Sequence, residues 1–339
     1  MTVRVGVNGF GRIGRSFLRA LLARPSSGLE VVAVNDLTDA ATNAHLLRRD
    51  STQGALGVDV TVEDGDLVVG GRRITVLAER EPKALPWGEL GVDVVVESTG
   101  RFASRQAAAG HLDAGCAKVV VSAPVAGADV TVVVGVNDDA YDPSRHHVVS
   151  NASCTTNCFV PMVKVIDDAF GVVGGLMSTV HAVTNDQNLL DLAHKDLRRA
   201  RAAAWNIVPT STGAARATGL VLEQMAGRLD GSSLRVPVPV GSITDFVAVV
   251  GRAVTAEEVN AAFAAAAAGP LGRVLRYSEE PLVSSDVIGD PASCVFDAGL
   301  TMVVPLGDDR TLVKAQGWYD NEWGYSNRLV DLVELVGQR

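Results

Sequence analysis

The stretch VRVGVNGFGRIGRSFLRALLARPSSGLEVVAVND, residues 3–36, sets the architecture. A short β-branched run (3–8) leads into a glycine-rich turn (9–14), a helix pattern (15–24) and a second apolar run (29–36). Strand, helix and strand in that order imply parallel strands joined by a crossover, and so a parallel sheet. Gly9, Gly11 and Gly14 satisfy G-x-G-x-x-G at the strand–helix junction, and Asp36 ends the next strand. The glycines allow a tight turn and close backbone approach to a pyrophosphate, and the helix start offers N–H groups to an anion. An acidic group at the end of the second strand accepts hydrogen bonds from ribose hydroxyls and repels a 2′-phosphate, which favours NAD over NADP. The plainer alternative is an ordinary glycine turn beside a solvated Asp.

Outward from this unit, residues 58–79 alternate and turn at Asp64-Gly65 and Gly70-Gly71, an antiparallel excursion. Buried strands resume at 92–99 and 118–124 around a helix near 104–115, followed by 131–137 and 147–151. After Asn151 the pattern changes. A helix is expected over about 154–170, then long strands at 174–184, 233–240, 243–252, 294–304 and 311–320, with a helix at 322–338. Long strands joined by few helices suggest a mostly antiparallel α+β domain. The expected division is a nucleotide-binding domain over 1–150 and a catalytic domain over 151–321.

Composition excludes several classes. The 339 residues are 47% hydrophobic and 20% charged, which fits a globular chain rather than a disordered one. The net charge of -9, with no long basic run, leaves no footprint for nucleic acid or an anionic membrane. No apolar run approaches the roughly 20 residues of a membrane helix. The start of the chain lacks a secretory pattern, and the four cysteines do not make a disulfide framework, so a reduced, cytoplasmic setting is expected.

Of those cysteines, Cys154 stands apart within SNASCTTNC (150–158). With Cys158 it makes C-x-x-x-C, which puts two thiols on one helix face, yet no further His or Cys completes a metal site. A packed thiol is the simplest reading for Cys116, Cys158 and Cys294. Cys154, however, follows Ser153, a good N-cap, so its sulfur falls in the first turn of a helix, where the dipole favours a thiolate. Ser153 and Thr155 offer hydroxyls suited to an anion. His181, followed by polar Thr184, Asn185 and Asp186, is a candidate base.

The blocks NGFGRIGR, SNASCTTNC, DLAHKDLRRARAAA, PTSTGAA, RVPVP and WYDNEWGYSNR follow in order across nearly the whole chain. Together they resemble the phosphorylating glyceraldehyde-3-phosphate dehydrogenase family. That resemblance implies a Rossmann-type NAD-binding domain, an α+β catalytic domain and a terminal helix (322–339) packed back on the first. It implies oxidative phosphorylation of glyceraldehyde 3-phosphate through a Cys154 hemithioacetal and thioester, with His181 as base, in a homotetramer. Asn8, Gly9, Gly11, Arg12, Ile13, Asp36, Ser122, Asn321 and Tyr325 correspond to cofactor-binding positions. Thr184, Asp186 and Arg235 correspond to the substrate-phosphate set, and Ser153, Thr155, Thr212 and Gly213 to the set for attacking inorganic phosphate. Arg199 is the arginine of its cluster expected at the anion pocket. Residues 184–205 correspond to a loop that reaches a neighbouring subunit.

Val238, Val240 and Gly241 depart from the family pattern beside Arg235, as do Arg49 and the pair Leu192-Ala193. Two alternatives stay open: an erythrose-4-phosphate dehydrogenase, and a non-catalytic binding protein on the same scaffold.

Overall fold

In the computed structural model, which describes residues 2–338, the chain forms two compact units, Met1–Ala152 with Ser326–Arg339, and Ser153–Tyr325. The first is built on a nine-stranded sheet. Its strands are β1 (Val3–Asn8), β2 (Leu29–Asn35), β3 (Val60–Glu63), β4 (Asp66–Val69), β5 (Arg72–Leu77), β6 (Val94–Glu97), β7 (Lys118–Val121), β8 (Val130–Thr131) and β9 (Val148–Ser150). Their order is β8-β9-β7-β6-β1-β2-β5-β4-β3. All neighbours are parallel except along β5-β4-β3, the excursion that the two Gly turns produce. Val5, Val7, Val94, Val95, Val96, Val119 and Val120 are buried, as strands covered on both faces require.

Helix α1 (Arg12–Leu22) crosses from β1 to β2 and starts three residues before the expected position. Its first turn packs on the glycine loop so closely that a Cβ on Gly14 would lie 2.2 Å from the Gly9 carbonyl oxygen. Below the loop, Asn8 Nδ2 donates to Glu97 Oε2 (2.6 Å), and Trp87 Nε1 donates to His111 Nδ1 (3.0 Å). His111 therefore carries its proton on Nε2 and donates to Glu97 at 3.0 Å.

Two expected elements of this unit are different. The helix at 104–115 is two single turns, Arg105–Ala108 and Gly110–Asp113, parted at Ala109, next to a glycine of low helix propensity. The strand at 131–137 stops at Thr131, because Asn137 bonds the backbone of Val133 (2.8 Å) and Thr131 (3.0 Å) and folds the segment back.

The second unit holds an eight-stranded, mostly antiparallel sheet. Its strands are β10 (Val172–His181), β11 (Val208–Ser211), β12 (Leu229–Arg235), β13 (Ser242–Val250), β14 (Leu275–Ser278), β15 (Cys294–Asp297), β16 (Met302–Gly307) and β17 (Arg310–Tyr319). The order is β11-β12-β10-β13-β17-β15-β14, with β16 also on β17. Helix α2 (Cys154–Phe170) buries Phe159, Met162, Val163 and Ile166 in this unit's core. Helix α3 (Ala256–Ala268) starts at a capping box made by Thr255 and Glu258. The strand expected at 233–240 ends at Arg235, since Pro237 and Pro239 have no N–H for a ladder. The one expected at 294–304 is interrupted where Asp297 accepts from the Gly299 N–H at 3.1 Å.

The last helix, α4, runs over Trp323–Gly337. From Ser326 onward it belongs to the first unit, where Arg24 donates to Asp331 (2.6 Å) and Asn327 (2.6 Å).

The two loop glycines should separate in a stability measurement. Gly14→Ala forces a methyl into a backbone carbonyl and should cost about 1–3 kcal/mol. Gly11→Ala meets nothing within 4 Å and should leave the unfolding midpoint nearly unchanged. Denaturant unfolding of both variants checks this, and equal losses would contradict it.

Candidate active site

A strained turn delivers Cys154 to its place. Ala152 takes φ +53°, unusual for a residue with a side chain, and Ser153 then caps α2 by accepting from the Thr156 N–H at 3.0 Å. Cys154 is the first helical residue and is half-buried. Its sulfur lies 3.4 Å from His181 Nε2 at the end of β10. The parallel register of β10 and β12 sets His181 beside Arg235.

His181 Nδ1 is 2.7 Å from the Ala182 carbonyl and 2.8 Å from Arg235 Nη1, which itself donates to that carbonyl at 3.2 Å. The Ala182 carbonyl can only accept and Arg235 Nη1 can only donate, so the two contacts make opposite demands on Nδ1; with the proton on Nδ1 and donated to the carbonyl, the Nε2 lone pair faces the thiol. Burial, with Arg235 close by, lowers His181 to about 4. Burial also pushes the Cys154 thiol up, against the pull of Arg235 and of Thr155. The ligand-free pair therefore rests as thiol and neutral imidazole. The helix-dipole thiolate expected from sequence is outweighed by loss of water.

Around this pair the structure gathers the polar set Thr184, Asp186, Arg199 and Arg235. Thr184 donates its hydroxyl to Asp186, and Arg199 Nη1 donates to Asp186 Oδ2 at 2.6 Å. Burial works to raise Asp186, but Thr184, Arg235 and Arg199 hold it below the ordinary carboxylate range. Arg235 Nε is a buried donor with no partner among the described residues, as expected of an anion site. Thr210, which the sequence reading missed, accepts from Arg199 Nε at 2.7 Å.

The other expected anion set is less uniform. Ser153 is committed to its own helix start, and Thr155 is buried with its hydroxyl 2.9 Å from Tyr319 Oη. The open hydroxyl expected at Thr155 is thus turned into the core. Thr212 and Gly213 stand where β11 leads into the short helix Ala214–Ala217.

Asn321 Oδ1 accepts from the Gly241 N–H (3.1 Å) and the Ser242 hydroxyl (3.0 Å), so its NH2 end is turned away from them. Gly241 sits at φ +90°, and a Cβ there would lie 2.3 Å from the Ser284 carbonyl oxygen. Val240 is buried and Val238 half-buried, the latter tied through its carbonyl to the Val183 N–H at 3.1 Å. Tyr325 is buried.

In the first unit a cavity of 510 Å³ is lined by Asn8, Gly9, Gly11, Asp36, Ser98 and Thr99, among others. Nothing would meet a Cβ at Gly11 within 4 Å, so the backbone there is open to a bulky group. Asp36 accepts from the Phe10 N–H (2.8 Å) and the Thr38 N–H (3.0 Å), one on each oxygen, which aims the remaining lone pairs at the cavity edge. These features fit a dinucleotide. Asn8 contributes as scaffold, since its side chain is tied to Glu97 and Asn35. Arg12 pairs with Asp50 and donates to Thr52 at 2.7 Å. Arg12, Ile13 and Ser122 are outside the cavity's lining.

Cys116, Cys158 and Cys294 are buried, and burial pushes Cys116 up to about 12. Among the described residues no group of three His, Cys, Asp or Glu is placed to hold a metal ion, and no helix is long and apolar enough to cross a membrane.

A doubly wound nucleotide-binding unit, joined in one chain to a mostly antiparallel unit that pairs a thiol with a histidine, defines a dehydrogenase working through covalent catalysis. Residues 3–105 match the glyceraldehyde 3-phosphate dehydrogenase NAD binding domain, and residues 153–321 match the C-terminal domain of the same family. The chain is 58% identical over 339 residues to glyceraldehyde-3-phosphate dehydrogenase 2 of Streptomyces avermitilis, covering all of both chains. It is 60% identical over 337 residues to the protein of that name in Streptomyces arenae, covering 99% of each. With the Mycobacterium tuberculosis glyceraldehyde-3-phosphate dehydrogenase it shares 60% over 343 residues, all of this chain and 99% of the other. The chain belongs to the glyceraldehyde-3-phosphate dehydrogenase family.

The depressed His181 makes stability depend on pH in a defined window. An unfolded histidine titrates near 6.5, whereas His181 stays neutral down to about 4. Between these values the unfolded chain binds more protons, so stability is full above the upper value and falls as pH drops toward the lower. The loss from this group is of the order of 3 kcal/mol. Unfolding of the ligand-free protein across this window should show it, and His181→Gln should flatten the slope. An unchanged slope in the variant would contradict the assignment.

Proposed function

We propose that the protein converts glyceraldehyde 3-phosphate and inorganic phosphate to 1,3-bisphosphoglycerate with reduction of NAD, as a cytoplasmic homotetramer. The observation that carries this is the 3.4 Å approach of Cys154 sulfur to Nε2 of a His181 that burial keeps neutral. NAD, when bound, supplies the hydride acceptor. Gly9, Gly11 and Asp36 would hold its pyrophosphate and ribose, and the NH2 of Asn321 its carboxamide.

The chain's own residues then divide the work. Cys154 adds to the aldehyde carbon while its proton passes to His181 Nε2, which makes that carbon tetrahedral. Hydride loss from such a carbon is far easier than from the planar aldehyde, and it leaves a thioester on Cys154. His181 takes the thiol proton, returns it to the oxygen of the tetrahedral adduct, and takes it back from that hydroxyl as the hydride leaves. Arg235, with its unpaired Nε, holds the substrate phosphate with Thr184, while Asp186 and Arg199 orient that pair. Ser153, Thr212 and Gly213 border the place from which inorganic phosphate attacks the thioester. Thr155 acts instead through its backbone and its bond to Tyr319.

The tetrameric reading is supported by exposed apolar side chains. Leu176 on β10 and Val304 on β16 are exposed, as are Leu189, Leu190, Leu197 and Trp205 within 184–205, with Trp205 82% exposed. Clustered large apolar groups in solvent mark interfaces.

Purified protein should reduce NAD rapidly with the triose phosphate, and only when inorganic phosphate is present. Cys154→Ser should abolish turnover, and His181→Asn should slow it by about 10²–10⁴-fold. Light scattering should give four times the 35.4 kDa chain mass. Phosphate-independent oxidation of erythrose 4-phosphate in preference to the triose would overturn the assignment.

A further inference from the structure

We propose that a buried hydrogen-bonded belt, anchored from below by His111, holds the walls of the nucleotide cavity in their binding geometry. The proposal rests on the reading of that cavity as the dinucleotide site. It makes His111 and Trp87, which stand outside the cavity's lining, positioning residues for the cofactor.

Strand register creates the belt. Glu97, Asn8 and Asn35 are the last residues of the adjacent parallel strands β6, β1 and β2, and they stand side by side in the pairing. Asn8 Nδ2 donates to Glu97 Oε2 (2.6 Å), and Asn35 Nδ2 donates to Asn8 Oδ1 (2.7 Å). Asn35 also bonds the backbone of Glu79, two residues past β5, donating to its carbonyl and accepting from its N–H, each at 2.8 Å. At the other end Glu97 Oε1 accepts from the Thr99 hydroxyl and from the Thr99 N–H at 2.8 Å. Four neighbouring strand ends are thereby joined in one row. The loops leaving those ends are the cavity walls, among them Gly9 and Gly11, Asp36, Glu79, Thr99 and Phe102.

Every proton in the belt has one place. The Glu79 N–H can only donate and its carbonyl can only accept, which fixes the Asn35 amide and through it the Asn8 amide. Trp87 Nε1 can only donate, and it reaches His111 Nδ1 at 3.0 Å. His111 Nε2 therefore carries the proton and donates to Glu97 Oε2 at 3.0 Å. Asn8 Nδ2 and His111 Nε2 stand 3.4 Å apart because both converge on that oxygen. The Glu97 carboxylate takes four hydrogen bonds in all, and Trp87, His111, Glu97, Asn8 and Asn35 are buried. A buried network satisfied in this way admits one arrangement, and losing a member leaves its partners unpaired.

His111 sits at the junction of this network. It belongs to the single turn Gly110–Asp113, and its ring meets Phe102 of the cavity wall edge-on at 6.3 Å. Trp87 packs on β1 so closely that a Cβ at Gly6 would lie 2.7 Å from its ring. One imidazole thus bears on Asn8 and Thr99 through Glu97, and on Phe102 through its face. Walls fixed before a ligand arrives lose less freedom on binding, so the belt contributes to affinity.

The test is calorimetric titration of the ligand-free protein with ADP-ribose, which has the adenosine, pyrophosphate and second ribose of NAD and no nicotinamide. His111→Leu removes both bonds of the imidazole and should weaken ADP-ribose binding by about five- to thirtyfold. Trp87→Phe keeps a large ring and removes only the N–H that sets the tautomer, and a loss of about two- to fivefold is expected. His111→Gln keeps a donor toward Glu97 and should bind within about twofold of the parent. In steady-state assays the KM for NAD should rise in the same order, with kcat at saturating NAD held within about twofold. An unchanged ADP-ribose affinity in His111→Leu would overturn the proposal. So would a His111→Gln affinity as weak as that of His111→Leu, since packing rather than the hydrogen bond would then be responsible. Should His111→Leu fail to fold, the same judgement falls on Trp87→Phe. A parent protein that binds no ADP-ribose would sink the dinucleotide reading itself, a result separate from any difference between variants.

Discussion

The approach of Cys154 sulfur to His181 Nε2 is the constraint around which the catalytic unit is arranged. Bringing a thiol and an imidazole together is easy; keeping both dry and still reactive is not. Burial drives each toward its neutral form, the thiol upward and the imidazole downward. Arg235 opposes this at the sulfur and reinforces it at the ring, since a fixed positive charge favours a thiolate and disfavours an imidazolium. The Ala182 carbonyl and Arg235 Nη1 both lie against Nδ1 and hold the ring in place. A neutral thiol beside a neutral imidazole is the outcome in the ligand-free structure.

Holding that geometry falls to backbone more than to side chains. The left-handed Ala152 and the Ser153 cap decide where α2 starts, and the parallel pairing of β10 with β12 puts Arg235 beside His181. Ser242 links two functional groups, accepting from the Ala182 N–H at 3.1 Å and donating to Asn321 Oδ1 at 3.0 Å. The first unit uses the same device below its glycine loop. There Trp87, His111, Glu97 and Asn8 form a buried chain in which each polar group has a partner. Satisfied networks of this sort are rigid, and each member becomes costly to remove.

Much of this was legible in the sequence, for reasons that are local. A glycine loop between a strand and a helix, or a Ser before a helix start, expresses its chemistry within a few residues. So the βαβ unit, the antiparallel excursion and the α2 start appear in the chain close to where they were expected. Errors fell where a distant or side-chain interaction overrides pattern. Asn137 ends an apolar run that reads as strand, and Pro237 and Pro239 end another. Thr155 read as an anion ligand because its neighbours are polar, yet Tyr319, 164 residues away in sequence, takes its hydroxyl.

By itself the sequence determined the fold class, the dinucleotide loop, the family and the identity of the thiol and the imidazole, because each is carried by contiguous residues of fixed chemistry. Only the tertiary structure decided their protonation states, the pairing of Arg199 with Asp186, the orientation of Asn321 and the place of Tyr319 between two threonines. Those depend on burial and on contacts between strands far apart in the chain. Desolvation and cross-strand register are properties of packed elements, and no single segment encodes them.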